Sequence, residues 1–261
     1  MPMNDKTNTK MNRRDKLREA TMAEIRHIAR ELLVSNGAQA VTVNAVARKM
    51  GMSGPALYRY YSSQNELIEA LRLDLYSELV NTLTSARERS GATDPECRLL
   101  AICRALRQWA VTHPAEFGCL FATPAPMGLE RCTNASQSGR AFGQVFLEEI
   151  VAIWRTKRFP IPSLEDMDPS LAEQLCKYSE RIDGALPPEA AYIFLSCWMR
   201  LYGLLCMEVL NQIGFAYSDL EPVYEECLQD LCRLLDIPYE EPVPAGHAGT
   251  IRKDRLREAG L

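Results

Sequence analysis

Hydroxyl, guanidinium and small side chains are concentrated in one short run of the chain. Tyr58 and Tyr60 carry phenolic hydroxyls, and Arg59 between them carries a guanidinium. A guanidinium can donate two hydrogen bonds to a guanine edge or pair with a phosphate, and hydroxyls suit phosphate oxygens. Thr42 and Ser53 stand where two short helices are predicted to begin, and backbone N–H groups at a helix N-terminus also face anions. These residue types indicate nucleic-acid binding.

Three small residues, Gly54, Pro55 and Ala56, follow Ser53 and leave the start of the second short helix free to approach base edges. The alternative is a purely structural corner with its tyrosines in the core. Catalysis is the poorer hypothesis, because the three histidines are scattered and no metal-ligand, phosphate-loop or nucleophile motif occurs. We therefore predict a protein that is not an enzyme and has no metal or cofactor.

Helical periodicity positions these side chains. An apolar stripe predicts a first helix over about 15–35, which Gly37 ends. Thr42 is a candidate N-cap for a short second helix. After the turn at Gly51, Ser53 is the candidate cap of a third helix, which we predict to reach Tyr60. A cap, a short amphipathic helix, a glycine turn and a second short helix fit a helix-turn-helix.

Helices also account for the rest of the chain. Ser62-Ser63 is the candidate cap of a fourth helix, predicted from Ser63 to about Arg89. Prolines and caps then delimit helices near 95–112, 114–121, 135–157, 169–181, 188–213 and 218–235. No stretch alternates with period 2, so we predict an all-α protein with an N-terminal three-helix helix-turn-helix domain and a larger helical ligand-binding and dimerisation domain. The predicted divisions are a disordered basic arm (1–12), a DNA-binding domain (13–62), a regulatory and dimerisation domain (63–237) and a disordered tail (238–261).

Charge is distributed unevenly, although the net charge is only −4. Residues 1–62 carry eleven Lys and Arg against five Asp and Glu, a balance of +6. The remaining residues carry 19 bases and 29 acids, a balance of −10. A basic N-terminal region on an acidic body indicates that the N-terminal region meets a polyanion.

Cysteines and hydropathy favour a cytoplasmic location. None of the nine cysteines forms a Cys-x-x-Cys pair, and we interpret them as small buried hydrophobic residues. Thiol redox sensing is the alternative, but no flanking basic pair supports it. The longest apolar run, 190–199, meets Arg200 before reaching the roughly 20 residues of a membrane span, and the polar N-terminus lacks a signal peptide's apolar core.

The run Thr42-Val-Asn-Ala-Val-Ala-Arg-Lys-Met-Gly-Met-Ser-Gly-Pro-Ala-Leu-Tyr-Arg-Tyr-Tyr61, with Glu66-Leu67 after it, resembles the tetracycline-repressor (TetR) family of bacterial regulators. The preceding segment, Ala29-Arg-Glu-Leu-Leu-Val-Ser-Asn-Gly37, is also in the style of that family. The resemblance covers about a fifth of the chain. It implies a three-helix DNA-binding domain, a helical domain for ligand binding and dimerisation, and in most members repression of transcription.

Individual roles follow from motif position. The resemblance implies phosphate contacts from Thr42, Ser53, Tyr58 and Tyr60. It implies an approach to bases by Gly54, Pro55, Ala56 and Arg59. The sequence departs from the family at Gln64, where many relatives carry Lys, so one phosphate contact is weakened or lost. Tyr61 stands where Phe is usual, a mild change.

A second resemblance lies further along the chain. Trp-x-x-x-His-Pro-x-x-Phe-x-x-x-Phe runs from Trp109 to Phe121, and Trp198-Met-Arg-Leu-Tyr202-Gly203 follows later. Together these resemble a TetR C-terminal subgroup with a Trp…His-Gly signature, in which Tyr202 replaces the His. The family implies a cavity between the body helices that opens toward the fourth helix.

Large aromatic side chains are the candidates for lining that cavity. The candidate ligand-binding residues are Trp109, Phe121, Phe142, Phe146, Tyr178, Trp198 and Tyr202. Each of them has the simpler alternative of being core. Tyr178, Tyr202 and Arg200 are candidate polar anchors. Arg200 interrupts an apolar helix, so it needs a carboxylate partner, a ligand anion or an exposed position, and a salt bridge is the simplest of these. A pocket of this kind predicts an apolar effector with a polar or anionic tip.

The expected function is therefore a ligand-responsive, DNA-binding regulator of transcription. We expect a homodimer that represses from a palindromic operator on double-stranded DNA and is released by a small-molecule effector. The helices at 188–213 and 218–235 are the dimerisation candidates, because the first is apolar nearly all round. The alternative is a ligand-independent architectural or activating DNA-binding protein with the same N-terminal domain.

Overall fold

The computed structural model describes residues 13–122 and 134–242, and all regular structure in those ranges is helical. This confirms the predicted all-α class. The α-helices are α1 (Arg13–Asn36), α2 (Val43–Lys49), α3 (Gly54–Leu57), α4 (Gln64–Arg89), α5 (Pro95–Thr112), α6 (Pro114–Phe117), α7 (Asn134–Lys157), α8 (Pro169–Arg181), α9 (Pro188–Val209) and α10 (Glu221–Leu234).

Capping residues set where several helices begin. The Thr42 hydroxyl accepts a hydrogen bond from the Ala45 N–H, and the Ser63 hydroxyl accepts one from the Glu66 N–H. The Glu66 carboxylate accepts in return from the Ser62 N–H and hydroxyl, so α4 starts with a reciprocal box of side-chain and backbone bonds. These bonds lower the pKa of Glu66. The capped start fixes α4 directly after the helix-turn-helix.

The N-terminal helices and the helices of the body share one continuous hydrophobic core. In the N-terminal part, Ile25, Ala29 and Leu33 of α1 are buried, and α1 packs on α2 and α4. In the body, α4 packs most extensively against α5 and α7, and α9 packs against α8 and α10. Because α4 packs on α1 as well as on α5 and α7, it is the helix that joins the helix-turn-helix to the body.

Three predicted helix ends differ from the structure. The third helix was expected to reach Tyr60, but its α-helical part stops at Leu57 and turns follow. The ninth ends at Val209 because Asn211 adopts a left-handed φ of 53°. Ser218 does not cap α10; the Asp219 carboxylate accepts from the Glu221 N–H instead.

The C-terminal boundary also needs correction. A disordered tail was expected from residue 238, but Tyr239 donates a hydrogen bond to Glu225 at 2.6 Å, and its ring lies 5.6 Å from the Arg104 guanidinium. Arg104 also donates to the carbonyl of Glu240. The start of the segment is therefore packed on α5 and α10. The predicted arm, 1–12, and the tail from 243 lie outside the described residues.

Among the described helices, α9 is long and apolar enough to cross a membrane by length and composition. Its packing is that of a core helix. Ala190, Ala191, Phe194 and Leu205 are among the seven α9 residues buried against the rest of the fold. On the opposite face Met199 is 63% exposed and Met207 is 38% exposed, with the exposed Arg200 beside Met199.

Candidate nucleic-acid interface

The α2–turn–α3 unit is held together by a few buried residues. Val46 and Ala47 of α2 and Leu57 of α3 are buried in the core below. Gly51 in the turn adopts a φ of +67°, which a side chain would strain. The helices approach closely at Gly54, where an added Cβ would lie 3.1 Å from Asn44 Oδ1. Glycine at this position permits the tight crossing of the two helices.

The predicted DNA-contact residues are close in the chain and largely accessible. Ser53, Pro55, Tyr58 and Arg59 are exposed. Thr42, Gly54, Ala56 and Tyr60 are half-buried. Tyr58 is 49% exposed, a large fraction for an aromatic side chain that could have been buried in the adjacent core. Its exposure has no folding explanation and favours an intermolecular role.

A supporting residue was missed in the sequence. The Arg18 guanidinium donates from Nη2 to the carbonyl oxygen of Arg59 at 3.2 Å and lies 5.3 Å from the centre of the Tyr60 ring. Arg18 therefore holds the segment 58–60 against α1. Sequence periodicity marked Arg18 only as one basic residue among many, because the contact spans 41 positions.

The basic residues of the N-terminal region fall into two groups. Arg26 and Arg30 turn toward the body and pair with acids of α4, while Lys49 pairs with Glu31 at 2.9 Å. The second group is exposed and consists of Arg13, Arg14, Lys16, Arg18, Arg48 and Arg59. Among the described residues of this region, the second group forms no ion pair with an acid and is therefore the more available to a polyanion.

Arg30 sits at the joint between α1 and the body. Its Nη1 and Nη2 donate to the two oxygens of Glu78 at 2.5 and 3.1 Å, and its Nε donates to Glu116 at 3.0 Å. The Trp109 indole N–H donates to Glu78 at 3.1 Å. The hydrogen bond from Arg30 lowers the pKa of Glu78 below its ordinary value of 4.5 and raises the pKa of Arg30 above its usual range.

Five of the seven predicted ligand-binding residues meet in one aromatic cluster. The cluster consists of Tyr76, Phe117, Phe121, Phe142, Phe146, Trp198 and Tyr202, with ring centres 4.8–6.3 Å apart in contacting pairs. Tyr202 also donates a hydrogen bond to the Phe121 carbonyl at 3.0 Å. Burial raises the pKa of Tyr202, so its phenol stays protonated. Tyr76 and Phe117 were not among the predicted ligand-binding residues.

The other predicted ligand-binding residues have different neighbours. Trp109 stacks on His113 at 5.1 Å and bonds to Glu78, so it belongs to the joint with α1. The Tyr178 ring lies 5.5 Å from the Arg181 guanidinium on α8. Arg200 is exposed, so the anchoring role suggested for it in an interior pocket is wrong. Arg200 lies on the outer face of α9, although most residues of that helix are apolar.

The aromatic cluster borders a small cavity of about 30 Å³. Phe146 and Trp198 line it together with Cys103, Cys197 and Leu231. That volume holds roughly two water molecules. Its lining is apolar, and burial raises the pKa of the Cys197 thiol to about 12, so the thiol is neutral. An organic ligand would fit here only if the rings moved apart.

Cysteines and acids in the described ranges form no group suited to a metal ion. Burial raises the pKa of Cys232 to about 11, as it does more strongly for Cys103. Thiols of this kind react slowly because little thiolate is present at neutral pH. These buried thiols therefore behave as small apolar groups and do not favour redox sensing.

Family models match two segments of the chain. The model described as bacterial regulatory proteins of the tetR family matches residues 25–71. A model described as a tetracyclin repressor-like C-terminal domain matches residues 99–231. The HTH-type transcriptional regulators Mb1846 of Mycobacterium bovis and Rv1816 of Mycobacterium tuberculosis are each 41% identical over 114 residues, 44% of this chain. The matched segment spans about half the length of these relatives, 48%.

Solved structures share the fold over most of the chain. A crystal structure described as a regulatory protein, SCO4313, is 32% identical with a TM-score of 0.65, covering 84% of this chain and 98% of that one. A protein of unknown function from Rhodococcus sp. RHA1 is 14% identical with a TM-score of 0.61, covering 81% and 93%. RolR in complex with resorcinol is 15% identical with a TM-score of 0.52, covering 87% and 98%.

Proposed function

Because the chain belongs to the TetR family of bacterial regulatory proteins, we propose that it is a cytoplasmic, dimeric regulator of transcription that binds a palindromic operator. The observation that supports this best is the exposure of Tyr58 and Arg59 on a helix-turn-helix whose underside is fully buried. The DNA-binding unit is residues 13–62, and residues 63–237 form the regulatory and dimerisation unit.

The contact roles divide between position and sequence readout. Thr42, Ser53, Tyr58 and Tyr60 contact phosphates and fix the register of the helix-turn-helix on the duplex. Arg59 reads a base edge in the major groove, with guanine as the preferred partner. Three small residues beside it, Gly54, Pro55 and Ala56, let α3 approach the bases closely.

The dimer forms through the exposed apolar face of α9 and the turn after it. Met199 is 63% exposed, Leu210 is 39% exposed and Phe215 is 89% exposed. An apolar surface of this kind on a helix that is otherwise buried suits a two-fold contact with a second copy. Two paired helix-turn-helix units would reach half-sites about one helical turn apart or somewhat more.

Selection from random duplexes tests the proposal directly. The full chain should enrich an inverted repeat, and sedimentation should show a dimer both free and on the duplex. Met199→Glu should shift the free protein toward monomer and weaken binding to the whole repeat, whereas Arg155→Glu, an exposed change on α7, should do neither. Monomeric protein at micromolar concentration, or enrichment of no repeat, would count against the proposal.

The regulatory step is repression relieved by a small apolar effector. The effector occupies the aromatic cluster, with the Tyr202 hydroxyl as a polar contact; Phe121, Phe142, Phe146 and Trp198 supply ring surfaces. RolR, which shares the fold, was crystallised with resorcinol, a small aromatic compound. Binding must separate the rings, so the effector acts by preferring a loosened arrangement of the body over the packed one.

The alternative is a regulator that responds to no ligand. The observation that favours it is the close packing of the rings in the cluster, which borders a cavity of only about 30 Å³. A panel of small aromatic compounds, including resorcinol, separates the two hypotheses. Release of operator DNA by a compound, with the loss of that response in Phe146→Trp but not in Ile161→Trp, at a 41% exposed position outside the proposed dimer contact, supports the effector site. Operator binding that stays unchanged across the panel, with no thermal shift, favours the alternative.

A further inference from the structure

The joint between α1 and the body contains two arginines one helical turn apart, Arg26 and Arg30. Both pair with acids on α4 that are also one turn apart, Asp74 and Glu78. Side chains four positions apart lie on the same helix face, so the two ion pairs lie next to each other between α1 and α4. The two ion pairs differ in the other residues that each arginine contacts.

Arg26 stays within the N-terminal part of the molecule. Its Nη1 donates to the Tyr61 hydroxyl at 3.1 Å, and the Tyr61 hydroxyl lies against the carbonyl of Met22 at 3.5 Å. Asp74, its acidic partner, is on the first half of α4. Arg26 therefore ties together α1, the end of the helix-turn-helix and α4, without touching the rest of the body.

Arg30 reaches further, to α6. The second acid it binds, Glu116, is only 4% exposed, so the carboxylate of Glu116 has lost most of its water. A buried carboxylate needs a charged or hydrogen-bonding partner, and Arg30 supplies it from α1. Glu78 is held in turn by the Trp109 indole on α5. The Arg30 guanidinium on α1 thus binds α4 and α6 directly, and α5 joins the same network through Glu78.

The two faces of α6 point to different parts of the molecule. Glu116 bonds to α1, while the neighbouring Phe117 is 1% exposed and packs on Phe121 of the aromatic cluster at 4.8 Å. A π-helical turn, Gly118–Ala122, follows directly. Because adjacent residues of one short helix make both contacts, a shift of the cluster must move Glu116 relative to α1 or stretch its bond to Arg30.

We propose that Arg30 is a positioning residue that sets the orientation of the helix-turn-helix on the body, through the direct α1–α6 contact with Glu116. The inference rests on the proposed function, since its output is the distance between the two DNA-binding units of a dimer. Arg30 does not touch DNA. Its loss lets each unit swing about α4, so the dimer accepts a wider range of half-site spacings.

The experiment measures the affinity of the full-length dimer for duplexes whose half-sites are moved apart or together by one or two base pairs. Wild type should show one preferred spacing. Arg30→Gln should reduce the preference for that spacing over its neighbours by about fivefold or more, which is the lower end of usual coupling between sites. The penalty for a wrong base within a half-site should stay unchanged, because Arg59 still reads it. Glu116→Gln should reproduce the effect.

Arg26→Gln is the matched control, since it removes the same group one turn away without breaking the contact with α6. It should keep the wild-type spacing profile, even where it lowers overall stability. Hydrogen exchange provides a readout that needs no DNA: backbone amides of 116–122 should exchange faster in Arg30→Gln and Glu116→Gln than in Arg26→Gln.

Four outcomes would contradict the inference or the function on which it rests. An unchanged spacing profile in Arg30→Gln and Glu116→Gln overturns the inference while leaving the proposed function intact. An equal loss of spacing preference in Arg26→Gln also overturns the inference, because the α1–α4 contact alone would then explain the orientation of the helix-turn-helix. Wild type that binds no inverted repeat refutes the proposed function itself, and equal hydrogen exchange over 116–122 in all variants would separately overturn the α1–α6 link.

Discussion

Two regions of this chain are rich in aromatic side chains, and the structure treats them in opposite ways. In the helix-turn-helix, Tyr58 is 49% exposed beside an exposed Arg59. In the body, Phe142 is 4% exposed and contacts four other rings. Burial explains why Phe142 is aromatic, but nothing in the fold explains Tyr58. An aromatic residue that folding leaves unexplained is therefore the stronger indicator of function.

The largest effect expected from this comparison is on stability. Phe142→Ala should lower the free energy of unfolding by about 3–5 kcal/mol, because a large ring is lost from a packed cluster and leaves a cavity. Denaturant unfolding of the full chain measures it, with Ile161→Ala, at a 41% exposed position outside the proposed dimer contact, as the control. A loss below about 1 kcal/mol would show that the cluster already has free volume, as a preformed ligand site would.

A smaller effect is expected at the DNA-binding surface, and it concerns the free energy of DNA binding instead of the free energy of unfolding. Tyr58→Phe removes one hydroxyl, so it should weaken binding to every duplex alike by about 0.5–1.5 kcal/mol, the usual net value of one hydrogen bond. The free energy of unfolding should stay within about 0.5 kcal/mol of wild type, because the side chain is half exposed. Fluorescence anisotropy and denaturant unfolding give the two numbers. A change in unfolding with none in DNA binding would reverse the assignment.

The smallest effect concerns the joint between the two regions. The Arg30 hydrogen bond lowers the pKa of Glu78 in the folded state, so its contribution is fully present above the ordinary value of 4.5 and disappears as the pH falls through the folded pKa. Glu78 is 37% exposed, so the contribution is about 1 kcal/mol or less. The free energies of unfolding of wild type and Glu78→Gln should therefore converge as the pH falls below 4.5. Curves that stay parallel through that range would contradict the role of the pair.

The sequence predicted local features well and long-range contacts poorly. Capping at Thr42 and Ser63, the family resemblance and the all-α class are all confirmed, because they depend on residues close together in the chain. The partners of Arg30 are 48 and 86 positions away, so periodicity could not identify them. The same limit separated Trp109 from the aromatic cluster: its type suited a pocket, but its neighbours are decided by how α5 crosses α4.

Exposure is the other quantity that the sequence could not supply. Arg200 was considered as an interior anchor because its helix is apolar, yet the structure exposes it. An apolar helix can present an apolar outer face when a partner chain covers it, and α9 with Met199 has such a face. Hydropathy alone cannot distinguish a buried face from one reserved for a partner.

Whether Arg59 reads base sequence is decided by the ratio of the affinities for the selected repeat and for random duplex DNA. Arg59→Ala should weaken binding to the repeat by about 1–3 kcal/mol while random DNA loses far less. Arg155→Ala, which removes one exposed charge on α7, should leave the ratio unchanged. Equal losses of Arg59→Ala on both duplexes would make Arg59 a phosphate contact and contradict base readout.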